Sequence, residues 1–259
     1  IDEESLRKIG PWPWPRERLA DLAEQLLSEQ QAALVVFDLV LPDASPGKDT
    51  PGERRLAALA RAGVLVPAQA FDYVQRDPPV IAGQVGGALP GQWTGPATTA
   101  TGHVANFPAL SEARCVGNVG FMPDFDGQVR RLELLTEWRG AYYPTLAFAA
   151  LQCARNHDGL TALAKRLRLD AAGRWPIPFI RGLDSYLAVS AAWRIAMVGS
   201  SALGLSDRVA TPLSPNTAGV TVHAAALSGL LDFADGRVRP APPAGLALAW
   251  LTVSSLLLW

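Results

Sequence analysis

The sequence predicts an α/β fold, with a central mixed and mostly parallel β-sheet flanked by helices. Three observations carry this. An apolar, valine-rich run, Ala32–Leu41, has the unbroken hydrophobicity of a strand buried on both faces, the pattern of parallel sheets. Val64–Phe71 repeats that pattern, and a helical segment with a C-terminal glycine, Glu53–Gly63, lies between the two runs. This β-α-β order is that of a right-handed parallel crossover. The chain has 259 residues, 49% of them hydrophobic, which suits one large domain with a real core and excludes intrinsic disorder.

The elements follow in order. Pro11–Pro15 (PWPWP) forms a stiff, extended entry. From Arg16 to Gln30, apolar residues at Leu19, Leu22, Ala23, Leu26 and Leu27 recur at helical spacing. After the β-α-β unit, Asp77–Gly102 is rich in Gly, Pro and Thr and reads as loop. Gly102–Phe107 and Cys115–Met122 read as short strands. The turn signal DFDG at Asp124–Gly127, followed by Val129, Leu132 and Leu134, predicts a hairpin. Tyr142–Arg155 is a predicted helix with Pro144 near its first turn. Trp193–Gly204 reads as a strand running into a Gly-Ser turn, and Ala218–Phe233 as a last amphipathic helix.

Charge excludes one class of function. With 23 Lys+Arg against 24 Asp+Glu, the net charge of -1 offers no basis for nucleic-acid binding. Charged residues make up 18%, below the roughly 25% of an average soluble domain. Part of the shortfall lies at the end: Pro240–Trp259 carries no charge. Its last part, Gly245–Trp259 (GLALAWLTVSSLLLW), reads either as a buried terminal helix or as the start of a transmembrane helix. The proline-rich lead-in Arg239–Gly245 suits a connector to an anchor. The expected division is therefore a domain over 1–239 and a linker with the beginning of a membrane helix over 240–259. Because the chain starts at Ile1, both ends suggest a segment lying between two membrane spans.

Several residues are candidates for chemistry. Asp38 interrupts the first valine-rich strand, where a carboxylate is costly unless satisfied. It reads as a loop cap or as a site residue at the carboxyl end of a parallel strand, where open α/β sheets place ligands. Asp43 and Asp49 follow on the same loop, at a spacing that fits no calcium-loop template. Ser200 and Ser201, Asp207 and His223 occur in the chain order of an α/β-hydrolase triad, but Leu203 stands where the nucleophile elbow needs its second glycine. His103 and His223 fall on apolar faces and read as core histidines; the third histidine is His157. Arg130 and Arg131 suggest an anion patch or pairs with Asp124 and Asp126. On a strand the two would point to opposite faces, leaving one of them solvated. The sequence holds no closely spaced His or Cys pair of a zinc site and no glycine-rich nucleotide cradle, so no cofactor is expected. Cys115 and Cys153 permit one disulfide or two buried thiols.

Five segments, taken in order, resemble the CHASE2 family of extracytoplasmic sensor domains from bacterial transmembrane receptors. They are IDEESLRKIGPWPWPRERLADL (Ile1–Leu22), VVFDLVLPD (Val35–Asp43), GHVANFP (Gly102–Pro108), GFMPDFDGQVRR (Gly120–Arg131), and AMVGSSALGLSDRVATPLS followed by AGVTVHAAALSGLL (Ala196–Leu231). Pro42 departs from the pattern, in which an acidic residue often comes directly after the strand. The resemblance implies a periplasmic sensor without catalysis of its own. Flanking helices would hold it in the inner membrane. A histidine kinase, nucleotide cyclase or diguanylate cyclase output would lie outside this chain, in a receptor acting as a homodimer. The signal is a small molecule or protein left unnamed. The candidate ligand residues are then Asp38, Asp43, His103, Arg130, Ser200, Ser201, Asp207 and His223. Two other readings stay open: a periplasmic serine hydrolase, and a docking module for a periplasmic protein partner, which would show an exposed apolar patch.

Overall fold

The computed structural model describes residues 1–42, 50–91, 93–155, 160–179, 195–202 and 208–237. Asp43, His157, Asp207 and the uncharged tail lie outside the described residues, as does the 239/240 boundary. No described helix is long and apolar enough to cross a membrane.

The amino-terminal half contains α1 (Glu3–Ile9), α2 (Arg16–Ser28), β1 (Leu34–Phe37), α3 (Pro51–Arg61), β2 (Leu65–Asp72), β3 (Ile81–Ala82), β4 (Thr98–Thr99), β5 (Gly102–Val104), α4 (Pro108–Ser111) and β6 (Gly117–Asn118). There follow β7 (Arg131–Glu133), β8 (Leu135–Trp138), β9 (Ala141–Pro144), α5 (Leu146–Arg155), α6 (Leu160–Arg166), β10 (Arg174–Pro176), β11 (Ile195–Val198), β12 (Arg208–Thr211), β13 (Ser214–Ala218) and α7 (Gly219–Ala234).

The central sheet runs β11-β1-β2-β5-β3, with β6 also paired to β2. It is mixed: β1 pairs in parallel with β11 and β2, β2 with β6 and β3 with β5, while β2 and β5 are antiparallel. The β1-α3-β2 crossover is present as the sequence predicts. All four side chains of β1 are buried, and successive ones enter different cores. Leu34 and Val36 pack with Phe148 and Leu151 of α5 and with Val222 and Leu230 of α7. Val35 and Phe37 pack with Leu19 and Ala23 of α2 and with Leu56 and Ala60 of α3. Period-two alternation between two apolar layers thus makes a helix-sheet-helix sandwich.

Local chemistry sets the helix boundaries. α3 begins at Pro51, two residues before the predicted Glu53, because Thr50 and Glu53 form a capping box. Arg55 joins α3 to α2 through Glu24 and Asp21. The N-terminal helix α1 lay outside the predicted elements; it is capped by the Asp2 carboxylate, which accepts from the Ser5 amide at 2.8 Å.

Three expectations need correction. The predicted loop Asp77–Gly102 contains two short strands, β3 and β4. The DFDG turn forms, with Gly127 at φ +79° and its amide donating to the Asp124 carbonyl at 2.8 Å. It does not close a hairpin, because the following strand β7 pairs with β10. The hairpin instead joins β8 to β9 across Arg139 and Gly140, both at positive φ. Consequently Ala141–Pro144 is strand, and the helix predicted from Tyr142 starts at Leu146.

Candidate functional site

The strand order reverses between β1 and β11. From β1 the chain crosses to β2 on one side, while β11 lies on the other. The crevice outside the carboxyl ends at such a point is the usual ligand position in an open α/β sheet. Asp38 and Gly199 are the first residues past the two strands, and the Asp38 amide donates to the Val198 carbonyl at 2.8 Å. A Cβ at Gly199 would lie 2.6 Å from Cβ of Val220, in the first turn of α7, and 3.2 Å from Cβ of Asp38. Only glycine lets the helix approach so closely.

Ser200 follows, its Oγ buried and without a hydrogen-bond partner. The entering chain also ends up here. The Ile1 nitrogen donates to the Gly199 carbonyl at 2.7 Å, and the Ser201 amide donates back to the Ile1 carbonyl at 2.9 Å. Arg208, which sequence reasoning passed over, donates to the Ser201 carbonyl at 2.7 Å. Of the eight predicted ligand residues, the fold thus brings Asp38, Ser200 and Ser201 together at the carboxyl ends of β1 and β11.

Asp43 and Asp207 lie outside the described residues, and His103, Arg130 and His223 go elsewhere. His103, on β5, is edge-on to Trp138 with centroids 5.3 Å apart and to Phe71 at 6.3 Å. Burial lowers its imidazole below the ordinary range, and its Nδ1 has no partner. His223 is 1% exposed, packs against Phe121, and places Nε2 3.3 Å from the Val119 carbonyl. Since its Nδ1 has no partner, neither serine is hydrogen-bonded to His223, and the predicted hydrolase set lacks its base.

Arg130 is no free anion ligand. It holds Asp126 through two bonds of 2.8 and 2.7 Å and approaches Asp124 at 3.3 Å. The fork draws the Asp126 carboxyl down to about 2. Arg131, expected to be solvated if Arg130 were not, is paired too, with Asp124 at 2.8 Å and Asp170 at 3.1 Å. Arg174 joins the same group through Asp170 at 2.9 Å and Asp124 at 3.6 Å.

Beside this group lies a residue that the sequence reading missed. Glu133 is 1% exposed, and neither carboxylate oxygen has a hydrogen-bond partner. Burial raises its carboxyl to about 7, despite nearby backbone amides of Glu133 and Met122 and the charge of Arg174. Close by, Asn118 is fully buried and ties five groups together. Its Oδ1 accepts from Phe71 and Gly120 amides, and its Nδ2 donates to the Gly120 carbonyl and to the Tyr73 and Thr136 hydroxyls. The signal for Glu133 was one acidic residue within the run Leu132–Leu135.

Cys115 and Cys153 form a disulfide that joins the segment leading into β6 to α5. Among the described residues no group of three His, Cys, Asp or Glu side chains could hold a metal ion. Among the described residues, the exposed large apolar side chains, Ile9, Val74, Val80, Ile81, Phe125 and Leu213, come from five separate stretches of the sequence.

No curated protein and no solved structure matches the chain. The family model of the CHASE2 domain matches residues 1–259. The chain therefore belongs to the CHASE2 family of extracellular sensor domains in signalling receptors.

Proposed function

We propose that this domain is the periplasmic signal-sensing part of a receptor in the bacterial inner membrane. Flanking helices anchor it, one of them beginning within Gly245–Trp259. The output, a histidine kinase, nucleotide cyclase or diguanylate cyclase, lies outside this chain, and the receptor works as a homodimer. The ligand, a small molecule or a protein segment, meets the crevice between the ends of β1 and β11. Asp38, Ser200 and Ser201 supply its polar walls, with Arg208 at the rim.

The observation that carries this reading is the double hydrogen bond between Ile1 and the Gly199–Ser201 turn. A ligand that shifts the turn also shifts the entering chain, and it does so in proportion to its differential affinity for the two arrangements. The disulfide supports the compartment, because such bonds persist where thiols are oxidised.

Two measurements test it. Alkaline phosphatase fused after Arg237 in the full receptor should be active, and activity only of a cytoplasmic reporter there would reverse the topology. In a thermal-shift screen of periplasmic amino acids, sugars and organic acids, a stabilising compound should lose its effect in Asp38→Ala and Ser200→Ala. A compound that stabilises both variants as well as it does the native protein would move the site elsewhere.

A further inference from the structure

Glu133 stands apart from the crevice. β7 and β10 are antiparallel, with Glu133 directly opposite Arg174. Opposite residues of such a pair share one face of the sheet, so an ion pair between them is the expected arrangement. It is not made. Arg174 turns its Nε to Asp170 and its Nη1 toward Asp124.

The neighbouring charges are already balanced without Glu133. Asp124, Asp126 and Asp170 face Arg130, Arg131 and Arg174. An ionised Glu133 is therefore a fourth negative charge, buried and unbonded, whereas a protonated one is neutral and costs far less. The groups around it are Tyr73 just past β2 and Arg174 and Asp170 from β10 and its leading turn, with Arg131 from its own strand and Asp124 from the DFDG turn paired to these last two. Tyr73 is held by Asn118 and Thr136 and stays neutral, so Arg174 is the cation in place to answer a new charge.

We propose that Glu133 is the proton-binding group of a two-state switch: neutral, it leaves Arg174 on Asp170 and Asp124; ionised, it draws Arg174 across the β7–β10 pair. The movement has a direct mechanical neighbour. Trp175 and Pro178, on and just after β10, press against Gly229 of α7, where an added Cβ would lie 2.3 Å from the Pro178 ring. α7 also forms one wall of the strand-end crevice through Val220. Proton occupancy at Glu133 thus bears on the same helix that the ligand site touches, and the carboxyl value near 7 places the change within the range of external pH.

The test is a titration of the 259-residue chain from about pH 5 to about pH 8.5, which spans the raised carboxyl range and lies above the ordinary one. Tryptophan fluorescence, which includes Trp175, should show a transition with a midpoint near pH 7, missing from Glu133→Gln. Amides of residues 174–179 should exchange faster in the native protein than in Glu133→Gln at alkaline pH, and equally at acid pH. Infrared spectroscopy of the native protein should show a buried protonated carboxyl at acid pH that disappears across the same transition. An identical fluorescence transition in Glu133→Gln would overturn the proposal. If that variant does not fold, absence of the protonated band at acid pH in the native protein would overturn it alone. Failure here leaves binding at Asp38 and Ser200 untouched, and failure of the crevice reading leaves this titration untouched.

Discussion

Removing the Cys115–Cys153 bond gives the most direct measure of what ties α5 to the sheet. The bond closes a loop of 38 residues. Chain entropy for a loop of that length corresponds to about 4 kcal/mol at 25 °C. Local packing sets no larger cost, because α5 is seated independently of the bond. Leu146, Phe148 and Leu151 are fully buried, and Gly117 of β6 already lies against the Leu146 backbone. Alanine is the right replacement at both positions, since Cys115 is 3% exposed and serine would bury an unpaired hydroxyl. The folded structure should survive, so the loss appears in the unfolding equilibrium and not in the spectrum of the native state. In urea, with a slope of about 3 kcal/mol/M, at the upper end for small proteins, the midpoint should fall by about 1.3 M. Reductant added to the native protein should produce the same shift and add nothing in the double alanine variant. A midpoint change below about 0.3 M, or two titratable thiols in the folded protein, would refute the reasoning.

Three further outcomes follow from the same contacts. Gly117→Ala should cost about 3 kcal/mol or more, or prevent folding, because the new Cβ would sit 2.3 Å from the Leu146 Cα and 2.9 Å from its nitrogen, backbone atoms that cannot swing aside; the urea midpoint reads it. Asn118→Ala leaves the Phe71 and Gly120 amides without their acceptor in a dry setting and takes one of the two partners of the Tyr73 hydroxyl, so a loss of about 2–4 kcal/mol is expected in thermal or urea unfolding. Glu133 gives stability a pH dependence of definite sign. Its carboxyl is raised from 4.5 to about 7 in the folded state, so the folded protein holds a proton that the unfolded chain releases. This contribution is fully present below about pH 4.5 and is lost as pH rises through 7, by up to about 3 kcal/mol. Unfolding free energies of native protein and Glu133→Gln should therefore converge at acid pH and separate by neutral pH.

The parts of this fold that are legible in the sequence are those whose burial is decided by one segment. Leu34–Phe37 is apolar on both faces because the sheet is covered on both faces, and no partner need be known to see it. The juxtaposition of Asp38 with Ser200 is legible for a related reason: each comes just after a parallel strand, and parallel neighbours end on the same edge. Tyr142–Pro144 is different. Its tyrosines suit a strand and its proline suits a helix start, and the choice falls to β8, which supplies the pairing. Asn118, set between glycines in GNVG, looks like a turn residue until Phe71 of β2, Tyr73 just past it and Thr136 of β8 bring it three of its five partners.

Charge is the hardest quantity to see in this way. Alternation in Arg131–Leu134 buries Leu132 and Leu134 and sends Glu133 outward, the ordinary fate of a glutamate on a strand. Met122 and Tyr73, from segments well before β7, lie near that outward face, and burial reaches both sides. Arg130 and Arg131 look in isolation like spare cations near a site. Asp124 and Asp126 lie close by in the chain, but Asp170 arrives from another segment, and only the three together neutralise Arg130, Arg131 and Arg174. That neutralisation is what leaves Glu133 as the odd charge. Its significance rests on a sum over three segments brought together by folding, and a substitution at Asp170 should change the proton affinity of Glu133 without touching it. Asp170→Asn removes a negative neighbour and frees Arg174 toward Glu133, so the Glu133 carboxyl should titrate lower, toward 4.5. A carboxyl that stays near 7 in that variant would show burial alone to be in control, with the arginine too firmly held by Asp124 to respond.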